Sequence, residues 1–275
     1  MTALRTSVSA LALAATLSLT ACKPDNAIRQ GEPVDKGYKS TDARARDAAR
    51  VDANLKPAPA PAPTSPTGSV IGIIRFAGKP PARVKIDMSQ DPACSFGGEN
   101  FSEQIVVEKE RLANTFLYIR GVVAGATTPS TPVIMDQKGC RYTPHVIGVM
   151  RGGTVEFRNS DPTMHNVHTM PLNVGNKSVD VSQGPRGAAQ SIKLDTPETM
   201  LPVRCNNHPW MNAFINVTES PFFAVSASDG KFEIHGLPPG NYTLAAIHEK
   251  LGEQTTNITI KPNGTATADF AFVQK

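Results

Sequence analysis

Short runs of β-branched and aromatic residues fill the chain from residue 68 onward, and they limit the fold more than any other feature. Examples are SVIGIIRFAG, TFLYIRGVV, TVEFRNS, KFEIHGL and NYTLAAI. Gly, Pro, Asn and Asp separate these runs, and no stretch shows the sustained periodicity of a helix. Many short strands at this spacing are typical of β-sandwiches and β-barrels. We therefore predict an all-β fold built from two β-sandwich domains.

The first 21 residues predict an export signal. One arginine precedes an uncharged apolar run, Ser7 to Leu19, which is too short for a normal membrane span. The run ends in L-T-A-C, which resembles the lipobox of bacterial lipoproteins. That resemblance implies cleavage before Cys22, lipid on Cys22 and a periplasmic location in the cell envelope; Lys23 then favours the outer membrane of a Gram-negative bacterium. The alternative is an ordinary signal peptide with an incidental cysteine.

Residues 22–67 predict a lipid anchor followed by a spacer. The segment after Cys22 is polar and contains neither Phe nor Trp, and it leads into PAPAPAPTSP. Alternating proline and alanine favours an extended polyproline II conformation, which makes a semi-rigid connector. We expect the spacer to hold a folded head away from the membrane.

The cysteine count leaves one thiol without a partner. Lipidation of Cys22 would leave Cys94, Cys140 and Cys205, and three cysteines in an oxidising compartment cannot all pair. Cys205 is the natural candidate, since it alone has a histidine and a methionine at close, regular spacing, in RCNNHPWM. On spacing alone it could still be a disulfide partner, a buried small side chain or a metal ligand.

Two motifs carry a resemblance to a known family. P-T-M-H-N-V-H spans residues 162–168, C-N-N-H-P-W-M spans 205–211, and both follow a strand pattern that ends in R-N-S-D. Together they resemble cupredoxins, and the short Cys-x2-His-x2-Met loop is most similar to amicyanin, because plastocyanin has a longer gap before its methionine. The resemblance implies a Greek-key copper domain at 130–220, with His165, Cys205, His208 and Met211 as the ligands of one type 1 copper ion.

The same resemblance assigns roles to neighbouring residues. Asn166 is expected to hydrogen-bond across to the Cys205 loop rather than to bind copper itself. His208 is expected to reach the surface inside an apolar patch, and Trp210 either forms part of that patch or anchors the core. His168, three residues after His165 in a strand, should point to the opposite face and stay away from the metal.

The chemistry of these side chains favours copper independently of the family. Two imidazoles, a thiolate and a weak thioether suit an ion that alternates between Cu(I) and Cu(II). A thioether is a poor zinc ligand, and iron–sulfur clusters need more thiolates. If Cys205 binds copper, Cys94 and Cys140 are left to each other, and we predict a disulfide between them that joins the two domains.

The end of the chain resembles a second family. SDGKFEIHGLPPGNYTLAAIHEKLG is similar to the carboxypeptidase regulatory-like domain, which has a transthyretin-like (prealbumin-like) sandwich. In that family this portion follows strands like those near residues 70–80 and 114–122. We therefore expect a regulatory-like sandwich built from 68–125 and 222–275, with the copper domain nested inside it. Two domains in simple tandem are the alternative.

Taken together, these features predict a lipid-anchored periplasmic copper protein that carries single electrons between redox proteins. It is not expected to be an enzyme, because a fully protein-ligated copper has no open position for a substrate. The net charge of +4 is modest and spread out, so we expect no nucleic-acid partner. The alternatives are a copper-handling lipoprotein without an electron-transfer role and a non-catalytic interaction module of the cell envelope.

Overall fold

A computed structural model describes residues 66–95 and 99–274. The predicted signal peptide, Cys22 and nearly all of the spacer lie outside the described residues. None of the helices in the described ranges has the length and apolar character that a membrane span requires. Apart from one short helix, every regular element of the described chain is a strand, so the all-β prediction is confirmed.

The first strands precede and follow the helix α1 (Pro92–Ser95) along the chain. They are β1 (Gly68–Ala77), β2 (Lys85–Ile86), β3 (Asn100–Phe101), β4 (Val107–Glu108), β5 (Arg111–Leu112) and β6 (Phe116–Ile119). The middle strands are β7 (Val133–Gln137), β8 (Tyr142–Thr143), β9 (Val146–Met150), β10 (Gly153–Asn159), β11 (His165–Thr169), β12 (Asp180–Gln183), β13 (Gln190–Leu194), β14 (Glu198–Arg204) and β15 (Asn212–Thr218). The last strands are β16 (Phe223–Val225), β17 (Lys231–Leu237), β18 (Gly240–His248), β19 (Gly252–Ile260), β20 (Thr265–Thr267) and β21 (Phe270–Val273).

The early and late strands form two sheets around a common core. One sheet has the order β17-β1-β5-β4, with β20 and β21 also pairing with β1, and the other has the order β16-β6-β18-β19. Alternate apolar residues of these strands point inward, as in Val70, Ile74, Phe232, Ile234 and Leu244. Strands β6 and β16 pair antiparallel, so the chain leaves this pair of sheets after β6 and rejoins it at β16.

The middle strands form a second pair of sheets, ordered β13-β10-β7-β8 and β12-β11-β14-β15-β9. Their core contains Met135, Phe157, Val167, Val203 and Ile215, all fully or almost fully buried. Two residues from before β3, Met88 and Cys94, belong to this same core. The segment that carries α1 therefore packs on the second pair of sheets.

The candidate ligands lie at one end of this second core. His165 is the first residue of β11, and the loop Cys205–Met211 connects β14 to β15. Strands β11 and β14 are neighbours, with His168 opposite Arg204 and Thr169 opposite Val203. Because the two strands are antiparallel, the start of β11 meets the end of β14, and His165 faces the loop.

Candidate metal centre

The loop between β14 and β15 is held closed by its own backbone. The amide of Cys205 donates to the carbonyl of Met211 at 3.2 Å, and the amide of Met211 donates to the carbonyl of His208 at 2.9 Å. These bonds turn the side chains of Cys205 and His208 to the same side of the loop. Met211 ends the loop and is 1% exposed.

Three predicted ligands converge on one point. His165 Nδ1 lies 3.0 Å from His208 Nδ1, and Cys205 Sγ lies 3.6 Å from the same His208 nitrogen. The three potential ligand atoms lie within 4.8 Å of one another, and all three residues are buried. The buried Met211 side chain belongs to the same core.

This donor set fits the copper ion that the sequence predicts. Two neutral imidazole nitrogens and one thiolate are acceptable to both Cu(I) and Cu(II), whereas a magnesium or calcium site is built from oxygen ligands. Imidazole Nδ1 rather than Nε2 faces the shared point in both histidines. His165, Cys205 and His208, with Met211 next to them, are therefore the residues that could hold the ion.

The electrostatic surroundings favour a charged pair at Cys205 and His165. Burial alone would raise the pKa of the Cys205 thiol, but hydrogen bonds from His165, from the backbone of Asn166 and Asn207, and from His208 lower it to about 7. Burial would lower the pKa of His165, but Asp161 and the neighbouring Cys205 raise it to about 9. A thiolate is the form of cysteine that binds metal, so these contacts favour the binding form of Cys205, whereas His165 must release its proton when an ion binds.

Asn166 links β11 to the loop. Its backbone amide donates to Cys205 Sγ at 3.3 Å, and its side-chain oxygen accepts from the amide of Asn206 at 3.2 Å. Its side-chain nitrogen donates to Asp180 at 2.7 Å. Asn166 is thus hydrogen-bonded both to the Cys205 sulfur and to the backbone of the loop.

The far nitrogens of both imidazoles meet carboxylates, which the sequence did not predict. His165 Nε2 lies 2.8 Å from Asp161 Oδ2, and His208 Nε2 lies 3.0 Å from Asp91 Oδ2. Asp161 is four residues before His165, so the R-N-S-D pattern held a signal for it. Asp91 lies 117 residues from His208 and has no sequence signal that links it to the motif.

The expectation that His208 reaches the surface is wrong. His208 is 4% exposed, because Asp91 and Cys94 cover its Nε2 edge and the Trp210 ring lies beside it with the ring centroids 5.1 Å apart. Trp210 itself is partly buried against the core, and its Nε1 donates to the carbonyl of Cys140 at 3.2 Å. Asp91 and Cys94 come from the segment before β3, which the cupredoxin motifs do not include.

Cys94 and Cys140 form a disulfide with the two Cα atoms 5.6 Å apart, and Cys205 is a free, buried cysteine. The bond joins α1 to the turn between β7 and β8. In that turn Gly139 and Cys140 both have positive φ, 65° and 54°, as a two-residue hairpin turn requires. Both of their amides donate to Asp161, at 2.7 and 2.8 Å.

His168 lies on the opposite face of β11 from His165. Its Nδ1 contacts Asn206 Oδ1 at 3.0 Å, and its side chain is 31% exposed. Met164 and Met170 flank this strand and are 49% and 36% exposed. His168 does not belong to the cluster of His165, Cys205 and His208 ligand atoms.

Residues 204–273 match the family model of the carboxypeptidase regulatory-like domain. The matched stretch overlaps the predicted segment 222–275 and begins earlier, at the end of β14, so it also includes the Cys205–Met211 loop. No curated protein sequence matches the chain.

Similar solved structures include copper proteins. A copper-containing nitrite reductase from Thermus scotoductus SA-01 is 24% identical with a TM-score of 0.30, and the match covers 36% of this chain and 25% of that chain. A Cu(I) form of a methionine-to-alanine mutant of amicyanin is 20% identical with a TM-score of 0.29, over 37% of this chain and 97% of that one. A purple cupredoxin from Nitrosopumilus maritimus is 18% identical with a TM-score of 0.26, over 31% and 99% of the two chains. The chain thus spans about a quarter of the nitrite reductase.

Proposed function

We propose that this protein is a membrane-anchored type 1 copper protein that carries single electrons between periplasmic or membrane redox partners. The observation that carries the proposal is the convergence of His165 Nδ1, His208 Nδ1 and Cys205 Sγ on one buried point. A copper ion, when bound there, would take up and release one electron. Lipid on Cys22 and the proline-rich spacer would keep the domain at the outer membrane.

The residues of the chain supply binding, rigidity and exclusion of water. His165, Cys205, His208 and Met211 would hold the ion, and Asn166, in β11, fixes the distance to the loop through its hydrogen bonds to Cys205 and Asn206. Strands and a closed loop set the positions of these groups in advance, so little rearrangement would accompany a change of charge. All four ligand residues are buried, which keeps water and substrates from the centre and argues against catalysis at the ion.

A second candidate, copper handling without electron transfer, is favoured by the exposed methionines. Met164 directly precedes His165 and Met170 directly follows β11, and both thioethers are accessible to a soft Cu(I) ion. A handler would use such groups to receive copper or pass it on.

Cyclic voltammetry of the copper-loaded full chain, combined with a transfer assay to a Cu(I) chelator, separates the two functions. An electron carrier should give a reversible one-electron wave and should retain its copper against a chelator of moderate affinity. A Met164→Ala/Met170→Ala variant should then behave as the wild type. An irreversible wave, or rapid loss of copper that slows in this variant, would replace electron transfer with copper handling.

A further inference from the structure

The two candidate copper histidines share an arrangement that their motifs do not contain. Each presents Nδ1 to the common ligand point and Nε2 to a carboxylate, Asp161 for His165 and Asp91 for His208. A carboxylate on the far nitrogen fixes the tautomer that leaves Nδ1 free for metal, and it makes the imidazole a stronger donor. Asp161 comes from the same sandwich as its histidine, whereas Asp91 comes from the segment before β3.

Asp91 is held in place from several sides. It lies directly before α1, where its Oδ1 accepts from the amide of Ala93 at 2.8 Å, as an N-cap residue does. Its Oδ2 accepts from Thr163 Oγ1 at 2.8 Å and lies 3.0 Å from His208 Nε2. Cys94, in α1, is tied to Cys140 across the disulfide, and its sulfur lies 3.8 Å from the same His208 nitrogen.

The position and charge of Asp91 have an electronic consequence. The carboxylate is partly buried, with 21% of its side chain exposed, and it accepts hydrogen bonds from Thr163 and from the amide of Ala93. A fixed negative charge near the centre favours the ion of higher charge, and a stronger imidazole donor acts in the same direction. Both effects stabilise Cu(II) relative to Cu(I).

We infer that Asp91 is a positioning residue for the copper centre, which orients His208 and lowers the reduction potential of the bound copper. The inference rests on the proposed function, since it concerns the same ion. The inference also means that residues 87–95, outside the predicted copper domain, take part in setting the reduction potential of the bound copper.

The test compares four full-length, copper-loaded chains by spectroelectrochemistry: the wild type, Asp91→Asn, Asp91→Glu and Asp87→Asn. Asp87 is the matched control, because it lies on the same segment and its carboxylate accepts from Ser89, with the backbone amide at 2.9 Å. Asp91→Asn keeps the size of the side chain and removes the charge. We expect it to lower the preference for Cu(II) over Cu(I) about tenfold, which raises the one-electron potential by about 59 mV.

Asp91→Glu retains the charge, so its potential should differ from the wild-type potential by at most half of this shift. Asp87→Asn should keep the wild-type potential. If the substitutions act only by loosening the segment, Asp91→Asn and Asp91→Glu should shift the one-electron potential equally. That result overturns the inference. An unchanged potential in Asp91→Asn overturns it as well.

A second measurement on the metal-free chain keeps the two proposals separate. In the imidazole ¹H–¹⁵N spectrum, the proton on His208 Nε2 should exchange slowly with solvent in the wild type and in Asp87→Asn, and rapidly in Asp91→Ala. If the wild type shows this protection but gives no thiolate-to-copper absorption after copper is added, the proposed function is refuted. Asp91 would then still position His208. A wild type with that absorption and no protected proton refutes the positioning role alone.

Discussion

Asn166 connects the two parts of the candidate centre at the scale of single residues. Its backbone amide reaches the Cys205 sulfur, and its side chain joins Asn206 in the loop to Asp180 in β12. His165 directly precedes it, so the position of one ligand and the position of the loop depend on the same residue. A hydrogen bond to the sulfur also stabilises the thiolate over the thiol.

We predict that Asn166→Ala lowers the affinity for Cu(II) by about tenfold, because the loop loses the side-chain bond that fixes it to β11. Competition titration against a chelator of known affinity measures this. Asn207→Ala is the control, since Asn207 is an exposed neighbour in the same loop whose side chain has no hydrogen bond within the described residues. Equal affinities in the two variants would contradict the role given to Asn166.

Site residues that lie close together in the sequence were predicted, whereas a site residue from a distant segment of the chain was not. Cys205, His208 and Met211 share one loop, and His165 lies in the second motif, so the resemblance of the two motifs to cupredoxins predicts a common site. Asp91 acts through a contact that depends on how another part of the chain folds over the site. Local patterns carry no information on such a contact, which is why the exposure of His208 was predicted incorrectly.

At the scale of elements, the short helix α1 and the turn between β7 and β8 form one unit around the site. The turn directs two amides to Asp161, the helix carries Asp91 at its N-terminus, and the Cys94–Cys140 disulfide joins them. The bond closes a sequence separation of 46 residues, and it includes the whole of β3 to β7 in its loop.

We predict that Cys94→Ala/Cys140→Ala lowers the free energy of unfolding by about 4 kcal/mol, as the entropy of a loop of this length implies. Urea denaturation followed by tryptophan fluorescence measures the change, and Trp210, which lies against Cys140, reports on the affected region. Dithiothreitol should bring the wild type to the stability of the variant and leave the variant unchanged. A wild type that is insensitive to the reductant would show that the disulfide does not constrain the unfolded chain.

Strands that are rich in β-branched and aromatic residues were predicted from the sequence, whereas strands of mixed composition were missed. The runs that contain β1, β6, β9, β10, β17 and β18 are rich in β-branched and aromatic residues. By contrast, β14 contains Pro202, which lacks an amide donor, yet this strand lies between β11 and β15 and leads into the site loop. The run QIVVEK has a similar composition, but only its Val107 and Glu108 form a strand, because tertiary packing overrides local propensity.

At the scale of the whole molecule, a buried histidine–carboxylate contact connects the two pairs of sheets. His145, which precedes β9, places Nε2 2.6 Å from Glu249, which follows β18, and both side chains are almost fully buried. His248 lies next to Glu249 and is 1% exposed, with its Nε2 unpaired and its Nδ1 accepting from the amide of Lys250. Burial, followed by the charges of His145 and Lys250, lowers the pKa of His248 to about 4.

This shift predicts a loss of stability in mild acid. The unfolded chain binds a proton at His248 near pH 6.5, whereas the folded chain binds it only near pH 4, so folding becomes less favourable as the pH falls through this window. Relative to His248→Asn, the wild type should lose about 2 kcal/mol of unfolding free energy between pH 7 and pH 4.5. Denaturant titrations of the metal-free chain at the two pH values measure this.

If the difference in unfolding free energy between the wild type and His248→Asn stays constant with pH, the buried imidazole at His248 is not the group that titrates. His235→Asn, at an exposed histidine on the same pair of sheets, is measured alongside it.

Binding of copper by the Cys205 thiolate is the central claim, and a visible absorption spectrum with EPR of the Cu(II)-loaded full chain tests it most directly. We predict an intense blue thiolate-to-copper band and a narrow copper hyperfine splitting in the wild type, both lost in Cys205→Ser. A colourless wild type, or a spectrum that Cys205→Ser leaves unchanged, would contradict the account.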